Sequence, residues 1–485
     1  MTQPSPVVDA TDDALDPSTA AAGSPLPRST PEAQGVDSAT VAGLLDAFEA
    51  AGLELHSLML LRHGHVVAEG WWAPYAPDGL HLLYSLSKSF TSTAVGLAVE
   101  EGLLGVDDLV TSFFPDEVPA EVHPRVAQLR VRHLLSMATG HHEDTLDRAM
   151  QLDPAEPLRG FLALPPDSEP GSVFAYNNGA TYTLGAVVQR VTGQTLTAYL
   201  TPRLLEPLGV TASAWHEHPP GRELGFSGLH LTTESIARFG QLHLDDGVWA
   251  GRRLLPPGWV AEATRVHTPN PAEPNPDWQQ GYGFQFWRSR HGYRGDGAYG
   301  QFCLVLPEQD AVVVTTAQTE NMQGVLDAVW AHLLPAFDTT TPEQDDALAR
   351  RLAALALPAD GSGLTGSTLP GTRAEVRVER VVPDPAGGWL VTLDDRHGSQ
   401  DPHSITVAAG DGEWRVGSVD LAGGRRLEVA ASARTGPAGM VVQLVFLQTP
   451  HRLVLTLDSG SLVASAHWQT VPLHPASGLA VIEHG

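Results

Sequence analysis

The chain has 485 residues, 42% of them hydrophobic, and a formal net charge of −27. That length exceeds one ordinary domain, so two or three are expected. So acidic a balance argues against nucleic acid and anionic membrane surfaces as partners, and the single cysteine, Cys303, excludes an intrachain disulfide.

In chain order, residues 1–30 are rich in Ala, Asp, Pro, Ser and Thr and read as a disordered leader. They lack the basic and apolar segments of a signal peptide, and no run of about 18 apolar residues follows anywhere. A cytoplasmic location is therefore expected, which suits a chain with one thiol. Apolar spacing over 38–48 predicts a helix capped by Ser38. Residues 58–70 read as a hairpin turning at His63-Gly64. A helix from Ser85 to about Glu101 is closed by Gly102. A loop and a short turn follow, at 107–110 and 113–116. Short helices are expected over 131–140 and 235–244. Residues 302–307 and 311–316 form a strand pair, with Cys303 as a buried, inert thiol. A helix over 322–334 closes the unit.

Residues 31–337 thus read as an α/β (α+β) sandwich, an antiparallel sheet flanked by helices beside a helical cluster. Residues 338–372 form a linker containing a helix over 342–357 and a flexible stretch at 361–367. Over 373–485, alternating segments begin at Val376, Trp389, Ser404, Trp414, Arg426, Met440, Leu453 and Leu462. They predict an all-β C-terminal barrel or sandwich.

The strongest chemical signal is a count: 28 of the 29 basic residues are arginine, and the one lysine is Lys88. Arginine keeps its proton in proteins, whereas a buried lysine can lose it. Ser85-Leu86-Ser87-Lys88 sets a hydroxyl and this amine one helical turn apart on one face. A serine hydroxyl is a weak nucleophile until a base takes its proton, and burial of Lys88 would supply that base. In a lysine-rich chain the spacing would mean little; with one lysine it stands out.

Two further segments have chemical potential and bland alternatives. In Tyr176-Asn177-Asn178 a phenol beside a cation is shifted toward phenolate or relays a proton, and an amide can hold a carbonyl. Alone, Tyr and Asn before Gly usually mark a turn. Gly295-Asp296-Gly297-Ala298 precedes the strand at 302, where a Gly-rich backbone lets N–H groups approach a ligand. Alone, it is a hairpin turn.

Taken in order, S-x-x-K, Y-x-N and the Gly-rich strand resemble the penicillin-recognising serine hydrolases, which include β-lactamases, D-Ala-D-Ala peptidases and related esterases. The Y-x-N is similar to that of the class C branch. Val131 to Gly140, Gly228-Leu-His-Leu-Thr-Thr, Ala237 to Leu242 and Leu254-Leu-Pro-Pro-Gly-Trp resemble the family's structural landmarks. The resemblance spans about 30–337. It implies that Ser85 is acylated, that Lys88 is its base, and that Tyr176 carries the proton to the leaving group. It further implies that Asn178 holds the substrate amide, and that the Ser85 and Ala298 N–H groups receive the oxyanion. The chain departs from the pattern at Gly295, where β-lactamases and peptidases place Lys or His to bind a substrate carboxylate. Arg294 and His291 are the nearby candidates to replace it. The departure favours esterase and amidase members of the family, those resembling 6-aminohexanoate-dimer hydrolase among them.

The expected activity is therefore acyl-enzyme hydrolysis of a small ester or amide, without cofactor or metal. The alternatives are a β-lactamase or D-Ala-D-Ala carboxypeptidase, an acyltransferase, and a catalytically silent ligand-binding module on the same fold. Histidines at 141–142 and 216/218 resemble fragments of metal sites but lack a third ligand at a set spacing. Trp71, Trp72 and Trp278 suit core packing or a pocket wall. The role of the β-rich C-terminal region and the oligomeric state are left open.

Overall fold

The computed structural model describes residues 24–339, 344–360, 372–373, 376–395, 403–420, 426–437, 439–458 and 464–473. Its centre is a six-stranded antiparallel sheet in the order 65–71, 54–62, 311–318, 301–306, 293–297, 287–288. The strands Gln301–Leu306 and Ala311–Gln318 are buried along their whole length, because helices cover both faces. Alternation then sorts the side chains. Met59, Leu61, Cys303, Val305, Val312 and Val314 enter one core, while Leu58, Leu60, Phe302, Leu304, Leu306 and Val313 enter the other.

The first core is shared with the helices Ser87–Glu100, Asn178–Thr192 and Thr233–Leu244. The second is shared with Ser38–Ala50, Met322–Ala328 and Asp345–Ala353. The expected sandwich with a helical cluster is what forms.

Local chemistry moves several boundaries. Asp37, not Ser38, caps the first helix, its carboxylate accepting from the Thr40 N–H at 3.0 Å. The helix at Val131 stops at Leu135, short of Gly140, because Met137 lies at φ 54° in the left-handed region. The expected leader is too long at its inner end. Leu26 is buried, and the backbones of Pro27 and Ser29 bond to Val66. Residues 1–23 and the stretch 361–367 lie outside the described residues. Cys303 is buried in the first core, where burial pushes its thiol up to about 12. No helix among the described residues is long and apolar enough to cross a membrane.

Among the described residues the C-terminal strands form one nine-stranded sheet, a half-barrel, around its own core of Val391, Leu393, Val429, Leu444, Phe446, Leu453 and their neighbours. Among the described residues its pairings are antiparallel save Gly410–Asp411 against Ser432–Ala433. Its other face docks on the sandwich. Ala430, Val445 and Leu447 join the second core, and Arg452 donates to Glu54 at 2.6 Å.

Candidate active site

Ser85 sits in a single helical turn, Tyr84–Leu86, that leads into the helix Ser87–Glu100. It is the one partly exposed residue in the buried run from His81 to Phe90. Lys88 lies one turn on and is 1% exposed. Its Nζ lies 2.9 Å from Ser85 Oγ, 2.7 Å from Asn178 Oδ1 and 2.9 Å from the Phe226 carbonyl oxygen. Burial pushes the amine down to about 7, although Asp144 and Asp296 pull the other way. Three acceptors match the three hydrogens of an ammonium. When the amine is neutral, two hydrogens can stay on Asn178 and Phe226, which turns the lone pair toward the Ser85 hydroxyl.

Tyr176 and Asn178 arrive from the start of the helix Asn178–Thr192, capped by the Asn177 side chain. The Tyr176 ring lies 4.7 Å from Lys88 Nζ and stacks on Trp287 at 5.6 Å and 12°. Its hydroxyl interacts with Ser85, while desolvation and then the Asp296 charge push its pKa up. The phenolate alternative is therefore disfavoured: the phenol keeps its proton and can relay one. Asn178 is held from behind by Asp144. Its backbone N–H and its Nδ2 donate to the two carboxylate oxygens at 2.9 and 2.6 Å. One side-chain N–H thus orients the amide, and a single N–H is left toward a substrate.

The third segment is the strand Tyr293–Gly297, paired with Gln301–Leu306 so that Gly297 faces Gln301 and Asp296 faces Phe302. Ala298 lies just past its end and is the one partly exposed residue between Tyr293 and Gly300. The strand end is pressed against the Ser85 turn: a Cβ on Gly297 would come within 2.0 Å of the Leu83 carbonyl oxygen. A Cβ on Gly295 would lie 2.4 Å from Leu86 Cδ1 and 2.7 Å from Ser89 Oγ. A side chain at this position would have to displace the Leu86 and Ser89 side chains.

Neither neighbour replaces the absent basic residue. Arg294 is fully buried. It donates to Asp296 at 3.0 Å, to the carbonyls of Asp277 and Arg288 at 3.1 and 3.0 Å, and to Ser289 Oγ at 2.6 Å. Its guanidinium lies 4.3 Å from the Trp278 ring. His291 packs against Trp330 at 5.1 Å. What Arg294 does is hold Asp296, whose carboxyl burial pushes up and Arg294 pulls down.

Sequence reasoning missed Asp144, the Phe226 carbonyl and the Arg294–Asp296 pair. The pair had a readable signal: residues two apart on a strand share a face. Asp144 had none, since it lies 34 positions from the residue it holds. The histidines suggested for metal are otherwise engaged: His141 with Thr139, His142 with Ser168, His218 with the Pro154 carbonyl, and His216 edge-on to His230. No group of three metal-ligating side chains occurs among the described residues. Trp278 packs against the Arg294 guanidinium, and Trp72 is core.

Comparison with known proteins agrees with this layout. The Beta-lactamase family model matches residues 41–336, more than half of the chain. A 6-aminohexanoate-dimer hydrolase of Paenarthrobacter ureafaciens is 28% identical over 284 residues, 53% of this chain and 71% of that protein. Esterase EstB of Burkholderia gladioli is 29% identical over 220 residues, 40% of this chain and 56% of the esterase. The crystal structure of SurE, 21% identical, superposes with a TM-score of 0.51 over 90% of this chain and 99% of that one. That likeness of fold takes in the C-terminal half-barrel as well as the sandwich. Fold, motif order and family match agree: this chain belongs to the β-lactamase family and is related to its esterases and amide hydrolases.

Proposed function

We propose that the chain is a serine hydrolase that cleaves small esters or amides through an acyl-enzyme on Ser85. The observation that carries this reading is the Lys88 amine, pushed down to about 7 and 2.9 Å from Ser85 Oγ. A general base works best with a pKa near the working pH. In the first step Ser85 Oγ attacks the carbonyl carbon and its proton passes to Lys88. The negative oxygen of the tetrahedral intermediate is received by the Ser85 and Ala298 N–H groups. As the intermediate collapses, the leaving alcohol or amine takes a proton through the Tyr176 hydroxyl. Water then repeats the sequence on the acyl-enzyme and restores Ser85.

The substrate class follows from the strand. Gly295 leaves no basic side chain for a substrate carboxylate, and Arg294 is fully buried against Asp296. β-Lactams and D-Ala peptides carry such a carboxylate, so substrates without one suit these residues better. The named activities of the 6-aminohexanoate-dimer hydrolase and of EstB support an amide or an ester as the bond cleaved.

Intact mass after treatment with a fluorophosphonate probe tests the nucleophile. One adduct is expected on the native protein and none on Ser85→Ala. Turnover of a p-nitrophenyl ester well above that of nitrocefin is expected for the substrate class. The reverse preference would return the reading to β-lactamase. No adduct on the native protein would favour a silent binding module.

A further inference from the structure

The residue before Ser85 and the residue after Ala298 are both tyrosines, and both are strained. Tyr84 has φ 47° and Tyr299 has φ 68°. An aromatic residue in this left-handed region is uncommon and persists only where its surroundings fix it. The surroundings that fix both belong to the half-barrel. The Tyr84 hydroxyl lies 2.5 Å from His451 Nε2 and accepts from the Leu473 N–H at 3.4 Å. His451 Nδ1 lies 3.1 Å from the Thr470 carbonyl oxygen. A carbonyl only accepts, so Nδ1 carries the hydrogen, Nε2 is the acceptor, and Tyr84 donates to it. The Tyr299 hydroxyl donates to the Val471 carbonyl. The three rings meet edge to face: Tyr84 with Tyr299 at 5.7 Å, Tyr84 with His451 at 5.8 Å and Tyr299 with His451 at 5.6 Å. Alongside, the Leu82 N–H donates to the Gln448 carbonyl at 2.8 Å.

We propose that the half-barrel is part of the catalytic apparatus: through His451, with Tyr84 and Tyr299 as positioning residues, it sets the two backbone amides, Ser85 and Ala298, that receive the substrate oxygen. The inference rests on the acyl-enzyme reading above. It explains why two tyrosines in one strained conformation flank the two amides and share one histidine from a different domain. Burial holds His451 down to about 3, so it stays neutral and remains an acceptor across the working pH range. An oxyanion pocket works by being fixed before the charge develops, and the clamp supplies that fixity from outside the sandwich.

The test uses the full chain with Tyr84→Phe, Tyr299→Phe, His451→Phe and His451→Gln. The first two each remove one oxygen atom and keep the ring. The readouts are kcat and KM on a p-nitrophenyl ester, affinity for an arylboronic acid that forms a tetrahedral adduct on serine, and the thermal midpoint. The expected result for Tyr84→Phe and His451→Phe is a roughly 10- to 100-fold loss of kcat. KM should stay within about threefold, and boronate affinity should weaken in step with kcat. His451→Gln, which keeps an acceptor, should recover part of the loss. A lowered midpoint with kcat within about twofold of the native protein would mean the cluster only holds the domains together, and would overturn the proposal. Should His451→Phe not fold, the two tyrosine variants decide. A native protein that takes no fluorophosphonate at Ser85 would remove the acyl-enzyme reading itself. Native labelling with equally fast labelling of both tyrosine variants would remove the clamp alone.

Discussion

Lys88 and Arg294 are both buried cations at the same site, 1% and 0% exposed, and the protein holds them in opposite ways. Each hydrogen bond of the Lys88 amine goes to a neutral acceptor: a hydroxyl, an amide oxygen and a backbone carbonyl. Asp144 and Asp296 act on it only through their fields. Arg294 is bonded directly to the Asp296 carboxylate and is further fixed by two carbonyls and a hydroxyl. Loss of a proton from Lys88 leaves no buried charge unpaired, whereas removal of the Arg294 charge would strand a carboxylate. Residue type and partners act together: a buried lysine among neutral acceptors can lose its proton, whereas a guanidinium keeps its charge and here neutralises a buried carboxylate.

The largest expected effect falls on the titrating side. Ser85→Ala should lower ester turnover by about 10⁴-fold or more, leaving only what binding and the oxyanion amides supply. Lys88→Arg should lose about 10²- to 10⁴-fold despite keeping its charge, because a guanidinium cannot serve as base. An unchanged kcat in that variant would make Lys88 merely structural and erase the contrast. On the architectural side, Arg294→Met should cost stability, about 3–5 kcal/mol in denaturant unfolding, by leaving Asp296 buried and unpaired. Arg294→Met with Asp296→Leu should recover most of it. If the double variant were no more stable than the single one, the pair would not be the reason for the loss.

Much of the titrating side is legible in the amino-acid order alone. Ser85 and Lys88 lie within one helical turn, and Tyr176 and Asn178 within three residues, so their proximity is a local property of spacing. The lone lysine adds weight that the motif lacks by itself. The architectural side depends on contacts across the fold. Asp144 reaches Asn178 over 34 positions, and Tyr84 reaches His451 over 367. The crowding of Gly295 by the Leu86 and Ser89 side chains comes from a segment far earlier in the chain, which no local pattern reports. The strands of the half-barrel are legible as alternation, but their docking onto the Ser85 turn is not, since polar tips such as Tyr84 Oη and His451 Nε2 look alike whether they face solvent or one another.

Smaller effects sharpen the contrast. In the unfolded chain Lys88 keeps an ordinary value of about 10.4, while in the fold it is pushed down to about 7. The unfolded state therefore binds more protons between these values, and the lysine disfavours folding most below about pH 7 and progressively less toward about pH 10. Lys88→Met should accordingly raise the thermal midpoint at neutral pH while abolishing turnover; a midpoint that falls would show that the amine stabilises the fold. Asp144 favours the ammonium form, so Asp144→Asn should move the pH–rate profile to lower pH. Asp144 is exposed, which limits the shift to a fraction of a unit.

The most direct measurement is the rate of Ser85 phosphonylation by a fluorophosphonate between about pH 5 and 9, native protein beside Lys88→Arg. If a neutral Lys88 activates Ser85, the native rate rises with pH and is half-maximal near the value of about 7 to which burial pushes the amine, whereas the Lys88→Arg rate is at least about 100-fold lower and lacks that inflection. Equal rates and the same pH dependence in the two proteins would contradict the account.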